Sequence, residues 1–436
     1  MRLVRNIILF TYGIFVAFLL QGCKKDEEYN PVKKTSLAVY NFSTSFNNKY
    51  ATYWLKNNDN YIWTYYGGYF GSTSFKVFDN QNTLVSKYVI PDNKLYPSSG
   101  YTSKCYSPIT DKNNGNIQNA YISYTKLGAD PNWTYTFLKI NQIDKNANVV
   151  NEDSVFIHYS YNHDISNLKF TKTNSNYFFS YDYSSQDSCV SCGKGWFKDS
   201  LVILKTDLNL NIISRYQRAI PTNSCPNQYC QNLSNYDIQS YGSNVYLTYW
   251  NGSLSNNVLE VYDNNLNLIN TILVTDLNPN WTYTYGFQKI AFTNNKLIIF
   301  GDVNEYINNK TDYFILMSFF DINGNFLSYK KIKPKAIYAE FYGFEKCNDG
   351  KFLLYYSDTY NLYGTGDFVG INKIDENGNS DYYFTFPESE ASGYKPCYAY
   401  ENADGTINIF ASKKTNNNTG GDQTIVVRVD KEGKVQ

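Results

Sequence analysis

Two histidines, His158 and His163, stand five residues apart in the segment IHYSYNH, with Asp153 and Asp164 close by. Imidazoles beside carboxylates can ligate a metal or move a proton near neutral pH; the plainer reading is a pair of surface residues. Carboxylates such as Asp302, Glu305, Asp358 and Asp367 fall in segments expected to be loops on one face. A glycosidase would need two of them opposed across a sugar. The sequence holds no G-x-S-x-G elbow, no H-E-x-x-H helix and no Walker-type phosphate loop. It therefore assigns no catalytic residue, no metal and no cofactor, and leans away from an enzyme.

Aromatic residues interleaved with small polar ones offer a second kind of chemistry. The heptapeptide Asp130-Pro131-Asn132-Trp133-Thr134-Tyr135-Thr136 nearly recurs as Asn278-Pro279-Asn280-Trp281-Thr282-Tyr283-Thr284. Sugars need flat rings for their apolar faces and directional donors and acceptors for their hydroxyls. Trp133, Tyr135, Trp250, Trp281 and Tyr283 are accordingly the candidate ligand contacts. Two other readings stay open: a repeated structural turn whose Trp packs between neighbouring units, and a protein interface. With 44 Tyr in 436 residues, a Tyr in a loop says little by itself.

These side chains must be held by a repeating framework. Seven times a short β-rich run ends in Asp, passes through a polar turn and enters a second β-rich run, at Asp79, Asp144, Asp207, Asp263, Asp321, Asp375 and Asp430. The aspartates stand 54 to 65 residues apart. Such a period marks a repeat architecture. Each period reads as four short strands; in the sixth copy they are Glu340–Asn348, Lys351–Tyr356, Phe368–Ile374 and Ser380–Phe386. The D-x-N-x-N turns resemble the start of a calcium-binding loop. From Asp207, however, the sixth and twelfth positions hold Ile212 and Arg218 in place of the Gly and bidentate Glu that such a loop requires. Hairpin turn chemistry is the better reading, since Asn, Asp and Gly tolerate positive φ.

The expected fold is all-β: a seven-bladed β-propeller of four-stranded antiparallel blades spanning 36–436. Six residues follow Asp430, too few for a fourth strand. Ser36–Phe42 is expected to supply that strand from the N-terminus and close the last blade.

The first 22 residues read as an export signal, with Arg2 and Arg5 ahead of an apolar run from Ile7 to Leu20. Leu20-Gln21-Gly22-Cys23 resembles the bacterial lipobox, although Gln21 departs from the usual Ala or Ser. Lys24, Lys25, Asp26, Glu27 and Glu28 resemble the signal that sends lipoproteins of Bacteroidota to the outer face of the outer membrane. The resemblance implies a diacylated Cys23, a lipidated tether over 23–35, and a membrane partner reached through that lipid. An exported chain meets an oxidising compartment, so Cys189, Cys192, Cys225 and Cys230 are disulfide candidates, with a zinc site and free thiols as alternatives. Lys+Arg and Asp+Glu both number 39, a balance that disfavours nucleic acid as a partner. The expected function is non-catalytic recognition at the cell surface, with glycan capture first. A scaffold role beside an outer-membrane protein is the alternative, and a propeller hydrolase acting on glycans a second.

Overall fold

The computed structural model describes residues 53–57, 60–65, 74–78, 84–89, 106–110, 116–126, 133–144, 146, 148–161, 163–187, 196–219, 233–251, 254, 256–294, 296–333, 338–359, 367–385, 394–413 and 423–431. The fold is all-β. Sheet 1 holds β1 (Tyr53–Asn57), β2 (Asn60–Tyr65), β3 (Ser74–Phe78) and β4 (Leu84–Val89). Sheet 2 holds β5 (Tyr106–Thr110), β6 (Ile117–Lys126), β7 (Trp133–Ile143) and β8 (Val149–Tyr161). Sheet 3 holds β9 (His163–Lys172), β10 (Asn176–Asp187), β11 (Trp196–Asp207) and β12 (Ile212–Ala219). Sheet 4 holds β13 (Leu233–Tyr241), β14 (Asn244–Asn251), β15 (Asn256–Asp263) and β16 (Leu268–Leu273). A one-turn helix, α1 (Val274–Leu277), leads into sheet 5, which holds β17 (Trp281–Thr293), β18 (Lys296–Ile307), β19 (Lys310–Asp321) and β20 (Phe326–Ile332). Sheet 6 holds β21 (Tyr338–Lys346), β22 (Phe352–Thr359), β23 (Asp367–Ile374) and β24 (Ser380–Thr385). Sheet 7 has three strands among the described residues: β25 (Tyr394–Glu401), β26 (Ile407–Lys413) and β27 (Gln423–Val429). Strands pair in chain order and antiparallel throughout. Ser36–Phe42, expected as a closing strand, lies outside the described residues, as does the turn at Asp79.

The sheets stack through their first strands. β1 packs on β5, β5 on β9, β9 on β13 and β13 on β17; β21 packs on β18 and β19; β25 packs on β21 and also on β1. Apolar side chains fill the space between neighbours. Leu138 and Ile140 of sheet 2 share one core with Phe179 and Val202 of sheet 3, and Tyr246 and Val261 of sheet 4 share another with Phe314 and Leu316 of sheet 5. Tyr177 and Tyr181 are buried in the first of these cores, so a good part of the tyrosine content is packing material.

The Asp turns have one geometry in five copies. Oδ1 of Asp207 accepts the backbone N–H groups of Asn209 and Asn211 at 2.9 and 2.8 Å, and Oδ2 accepts the Asn211 side chain at 2.7 Å. Asp144, Asp263, Asp321 and Asp375 repeat the pattern. Protein N–H groups thus engage both oxygens of each carboxylate, as turn chemistry requires. The fourth turn residue is left-handed, with φ of 61° at Leu210, 65° at Leu266, 82° at Gly324 and 77° at Gly378. Gly takes that conformation freely, whereas Leu bears a cost of about 1–2 kcal/mol. Leu210 and Leu266 offset it by burial: Leu210 plugs into the core between sheets 2 and 3, and Leu266 into that between sheets 3 and 4. At Gly324 the same trick fails, because a Cβ would lie 2.7 Å from Val261 Cγ2.

The turns also dock on the preceding sheet. Lys205 Nζ donates to the Asn264 carbonyl at 2.8 Å, Tyr246 Oη to the Ile322 carbonyl at 2.6 Å, and Thr293 Oγ1 to Glu376 at 2.7 Å. Asn348 donates through its backbone N–H to Glu401 and through its side chain to the Asn402 carbonyl. The turn ends of sheets 3 to 7 therefore lie together, and the opposite ends carry the loops between second and third strands.

Candidate functional site

The loop end of sheet 2 carries rows of paired aromatic residues. In the β7–β8 register Trp133 stands opposite Tyr161, Tyr135 opposite Tyr159 and Phe137 opposite Phe156. The side chains of Trp133 and Tyr161 lie outside the described residues. The Tyr135 and Tyr159 rings have centroids 4.4 Å apart, tilted by 38°, and Phe156 lies 5.9 Å from both Tyr135 and Phe137. Phe156 and Tyr159 are three residues apart, a spacing that regular alternation would send to opposite faces. A register shift between Thr136 and Phe137 skips Ile157 and brings both to one side. There Phe156 is 46% and Tyr159 49% exposed, while Ile157 and His158 are both buried on the other side.

That other side holds the histidine read as a chemical candidate. His158 stacks on Tyr183 at 4.0 Å and 6°, and its Nε2 lies 3.3 Å from the Tyr181 hydroxyl. Arg215 Nη2 approaches its ring nitrogens at 3.0 and 3.3 Å, and Arg215 Nη1 donates to the Ile157 carbonyl. A guanidinium only donates, so the imidazole offers it a lone pair. Burial raises the Tyr181 phenol above its ordinary range, despite the lowering influence of Arg215. The cluster ties sheet 2 to sheet 3. Asp153 accepts a hydrogen bond from Asn151, and His163 and Asp164 stand opposite Ser185 and Ser184 in the β9–β10 register.

The second heptapeptide needs a correction. Trp281, expected as a sugar platform, is 1% exposed and belongs to the core between sheets 4 and 5. Its Nε1 donates to Glu305 Oε1 at 3.1 Å, as does the Asn278 side chain at 3.2 Å, and Lys331 pairs with the other Glu305 oxygen. The indole serves as a plug with a hydrogen-bonded handle, and Glu305 is committed to holding it. Trp250 is half-buried on β14, and Tyr283 lies on β17 with its side chain outside the described residues. Of the five candidates, Tyr135 is thus the one whose described ring joins an exposed aromatic group.

Asp302 is the carboxylate with unusual chemistry. It is 5% exposed on β18, accepts Gln288 Nε2, and is pushed up to about 7 by burial and by Glu340 of sheet 6. The Phe341 N–H of β21 also donates to it. Asp237 makes an equivalent bridge, accepting the Ile290 N–H of β17 at 2.8 Å. First strands are sheet edges, and carboxylates from the preceding sheet take up N–H groups that no ladder uses. Asp358 and Asp367 stand opposite Phe368 and Thr359 in the β22–β23 register, their side chains outside the described residues.

Two side-chain networks had no signal in the sequence. Glu260 of β15 is fully buried and pairs with Arg218 of β12 at 2.6 Å, while the Tyr249 and Tyr262 hydroxyls donate to it. Burial and Glu260 together push both phenols far above their ordinary range. Cys347, Asp349 and Glu401 bring ligand-type atoms within 4.8 Å of one another. Lys373 already sits there, 3.0 Å from Asp349 and 2.6 Å from Glu401, so the charge is met by an ammonium group. The Cys347 thiol is unpaired and pushed up to about 12, chiefly by burial. Cys189, Cys192, Cys225 and Cys230 lie outside the described residues, as does Cys23.

No known family pattern and no curated protein matches the chain. Among solved structures it is similar to the polysaccharide lyase Uly1, at 11% identity and a TM-score of 0.48, covering 93% of each chain. It is similar to an ulvan lyase from a new polysaccharide lyase family, at 9% identity and 0.47, covering 91% of this chain and 94% of that one. An α-L-arabinofuranosidase from Fusarium graminearum gives 10% identity and 0.39, covering 75% and 92%.

Proposed function

We propose that this protein is a lipid-anchored outer-membrane protein exposed at the cell surface, whose seven sheets are the blades of a β-propeller and whose role is to capture glycans without chemical turnover. The observation that carries the reading is the aromatic group of Tyr135, Phe137, Phe156 and Tyr159 toward the loop end of sheet 2, in which Phe156 and Tyr159 are exposed. Its rings offer stacking surface to the C–H face of a sugar, and its two phenols supply hydrogen bonds to hydroxyls. The ring of blades is supported by the packing sequence that returns from β25 to β1. Ser36–Phe42 is the strand that completes sheet 7 in this reading, and acylated Cys23 is the anchor.

Affinity electrophoresis against a panel of polysaccharides tests the capture. The double variant Phe156→Ala, Tyr159→Ala should lose retention by tenfold or more on whichever polysaccharide slows the parent, since about 1.4 kcal/mol of stacking corresponds to a factor of ten. Both side chains are half exposed, so the melting temperature should hold. Equal retention of parent and variant would overturn the assignment.

A further inference from the structure

The face of sheet 2 that carries the aromatic group continues into a charged row. Along β7, Tyr135, Phe137, Lys139 and Asn141 alternate with Thr136, Leu138 and Ile140, and Leu138 and Ile140 fill the core shared with sheet 3. Tyr135, Phe137 and Lys139 therefore share the other face. The β7–β8 register sets Ser154 opposite Lys139 and Glu152 opposite Asn141, one and two rows beyond the Phe137–Phe156 pair. The β6–β7 register sets Tyr121 on the other side of Lys139. Side-chain contacts agree: Glu152 Oε2 accepts the Tyr121 hydroxyl at 2.9 Å, and Lys139 Nζ lies 3.5 Å from Glu152 Oε1. Rows on one face repeat about every 7 Å along an antiparallel strand, so the charged row begins one such step from the rings. The Lys139 and Glu152 side chains are 20% and 22% exposed, whereas Tyr121 is buried. Among the described residues, these two are the charged members of this face of sheet 2, and they neutralise one another.

We infer that the captured glycan is an uncharged one, and that sugars bearing carboxylate or sulfate groups are turned away at this row. The inference rests on the capture reading above and narrows its ligand. A sugar chain lying along β8 on Tyr159 and Phe156 comes next to Ser154, Lys139 and Glu152. Lys139 has three N–H donors, more than one carboxylate oxygen at 3.5 Å takes up, and the exposed Ser154 hydroxyl stands opposite it. A carboxylate has about four acceptor positions, so Glu152 can take a sugar hydroxyl in addition to Tyr121 and Lys139. A donor and an acceptor side by side suit neighbouring hydroxyls, which both donate and accept. An anionic sugar in the same place meets a carboxylate that Tyr121 holds in position, and the cation beside it is already paired. Partly buried like charges repel strongly because water screens them poorly. Recognition of a polyanion calls for unopposed cations, and this face presents a balanced pair.

The test is affinity electrophoresis of the full chain, beside a non-binding reference protein, in gels holding neutral polysaccharides (galactomannan, xyloglucan, arabinan) or acidic ones (alginate, polygalacturonate, carrageenan). The neutral polysaccharide that retains the protein is offered again after its primary alcohols have been oxidised to carboxylates. The inference expects retention by a neutral polysaccharide and a loss of affinity of about tenfold or more on oxidation. Glu152→Gln removes the opposing charge and leaves Lys139 unpaired, so it should narrow that loss severalfold. Ser154→Lys, at an exposed position, adds an unopposed cation to the same row and should narrow it too, which keeps the test open if Glu152→Gln fails to fold. Strongest retention by an acidic polysaccharide, or equal retention by a neutral one and its oxidised form, overturns the inference and leaves glycan capture standing. A loss on oxidation that is identical in the parent and both variants overturns the role given to this row. Absence of retention by every polysaccharide defeats the capture reading, and the inference with it.

Discussion

Replacing Asp302 by Asn should stabilise the protein more as the pH rises. The carboxyl is 5% exposed, faces Glu340 and is pushed up to about 7 from an ordinary 3.8. Between those values the folded state holds a proton that the unfolded chain has released. Folded-state affinity for protons then exceeds that of the unfolded state, so stability falls as pH rises from about 4 to about 7 and levels off above. Three pH units correspond to about 4 kcal/mol as an upper figure, at about 1.4 kcal/mol per unit. Asn has the same shape, keeps one oxygen for Gln288 or the Phe341 N–H, and can donate to Glu340. Losing one acceptor position costs about 1 kcal/mol at every pH. Urea unfolding followed by tryptophan fluorescence, at pH 4.5 and 8.5, gives the comparison. The variant should be near neutral or slightly weaker at the lower pH and stronger by about 2–3 kcal/mol at the higher. A difference that is the same at both values, or an advantage of the variant that shrinks as the pH rises, would refute the assignment of a protonated buried carboxyl.

Leu210→Gly relieves a left-handed strain of about 1–2 kcal/mol and forfeits about 1.5–3 kcal/mol of burial, so its unfolding free energy in urea should drop by only about 1 kcal/mol. Gly324→Ala at the equivalent turn position should cost more than that, because its Cβ meets Val261 and the backbone has φ of 82°. Glu260→Gln leaves Arg218 without its carboxylate and should cost about 3–5 kcal/mol by the same assay, while a joint Glu260→Leu, Arg218→Met exchange should cost less than the single change. Below about pH 4 the turns at Asp207, Asp263, Asp321 and Asp375 should weaken together. Hydrogen bonds from the paired asparagines hold these carboxyls below their ordinary range, so the stability they add is present above the unfolded value and fades as pH falls through the folded one. Acid titration of circular dichroism reads that loss.

The framework was legible where its chemistry is local. An Asp that gathers the N–H groups two and four residues on leaves the same short string at Asp144, Asp207, Asp263, Asp321 and Asp375, and the strands on either side follow from it. In the sixth copy the expected first strand, Glu340–Asn348, is found as Tyr338–Lys346, because Cys347 opens a turn closed by its N–H on the Lys351 carbonyl. Site chemistry depends on what lies across the gap between sheets, which spacing does not encode. The heptapeptide around Trp281 reads as an aromatic platform, and the indole is enclosed by Phe314, Tyr329 and Glu305. Asp302 looked like any loop carboxylate until Glu340 of the next sheet stood beside it. Tyr159 and Phe156 were invisible as a pair because the bulge at Ile157 alters the alternation that a sequence reading assumes.

The central claim, that the aromatic group of sheet 2 captures glycans, is tested most directly by a crystal of the full chain soaked with an oligosaccharide from the retained polysaccharide. The account predicts a sugar ring lying against Tyr135, Phe156 and Tyr159. Clear density for the sugar elsewhere on the molecule, with this group bare, would contradict it.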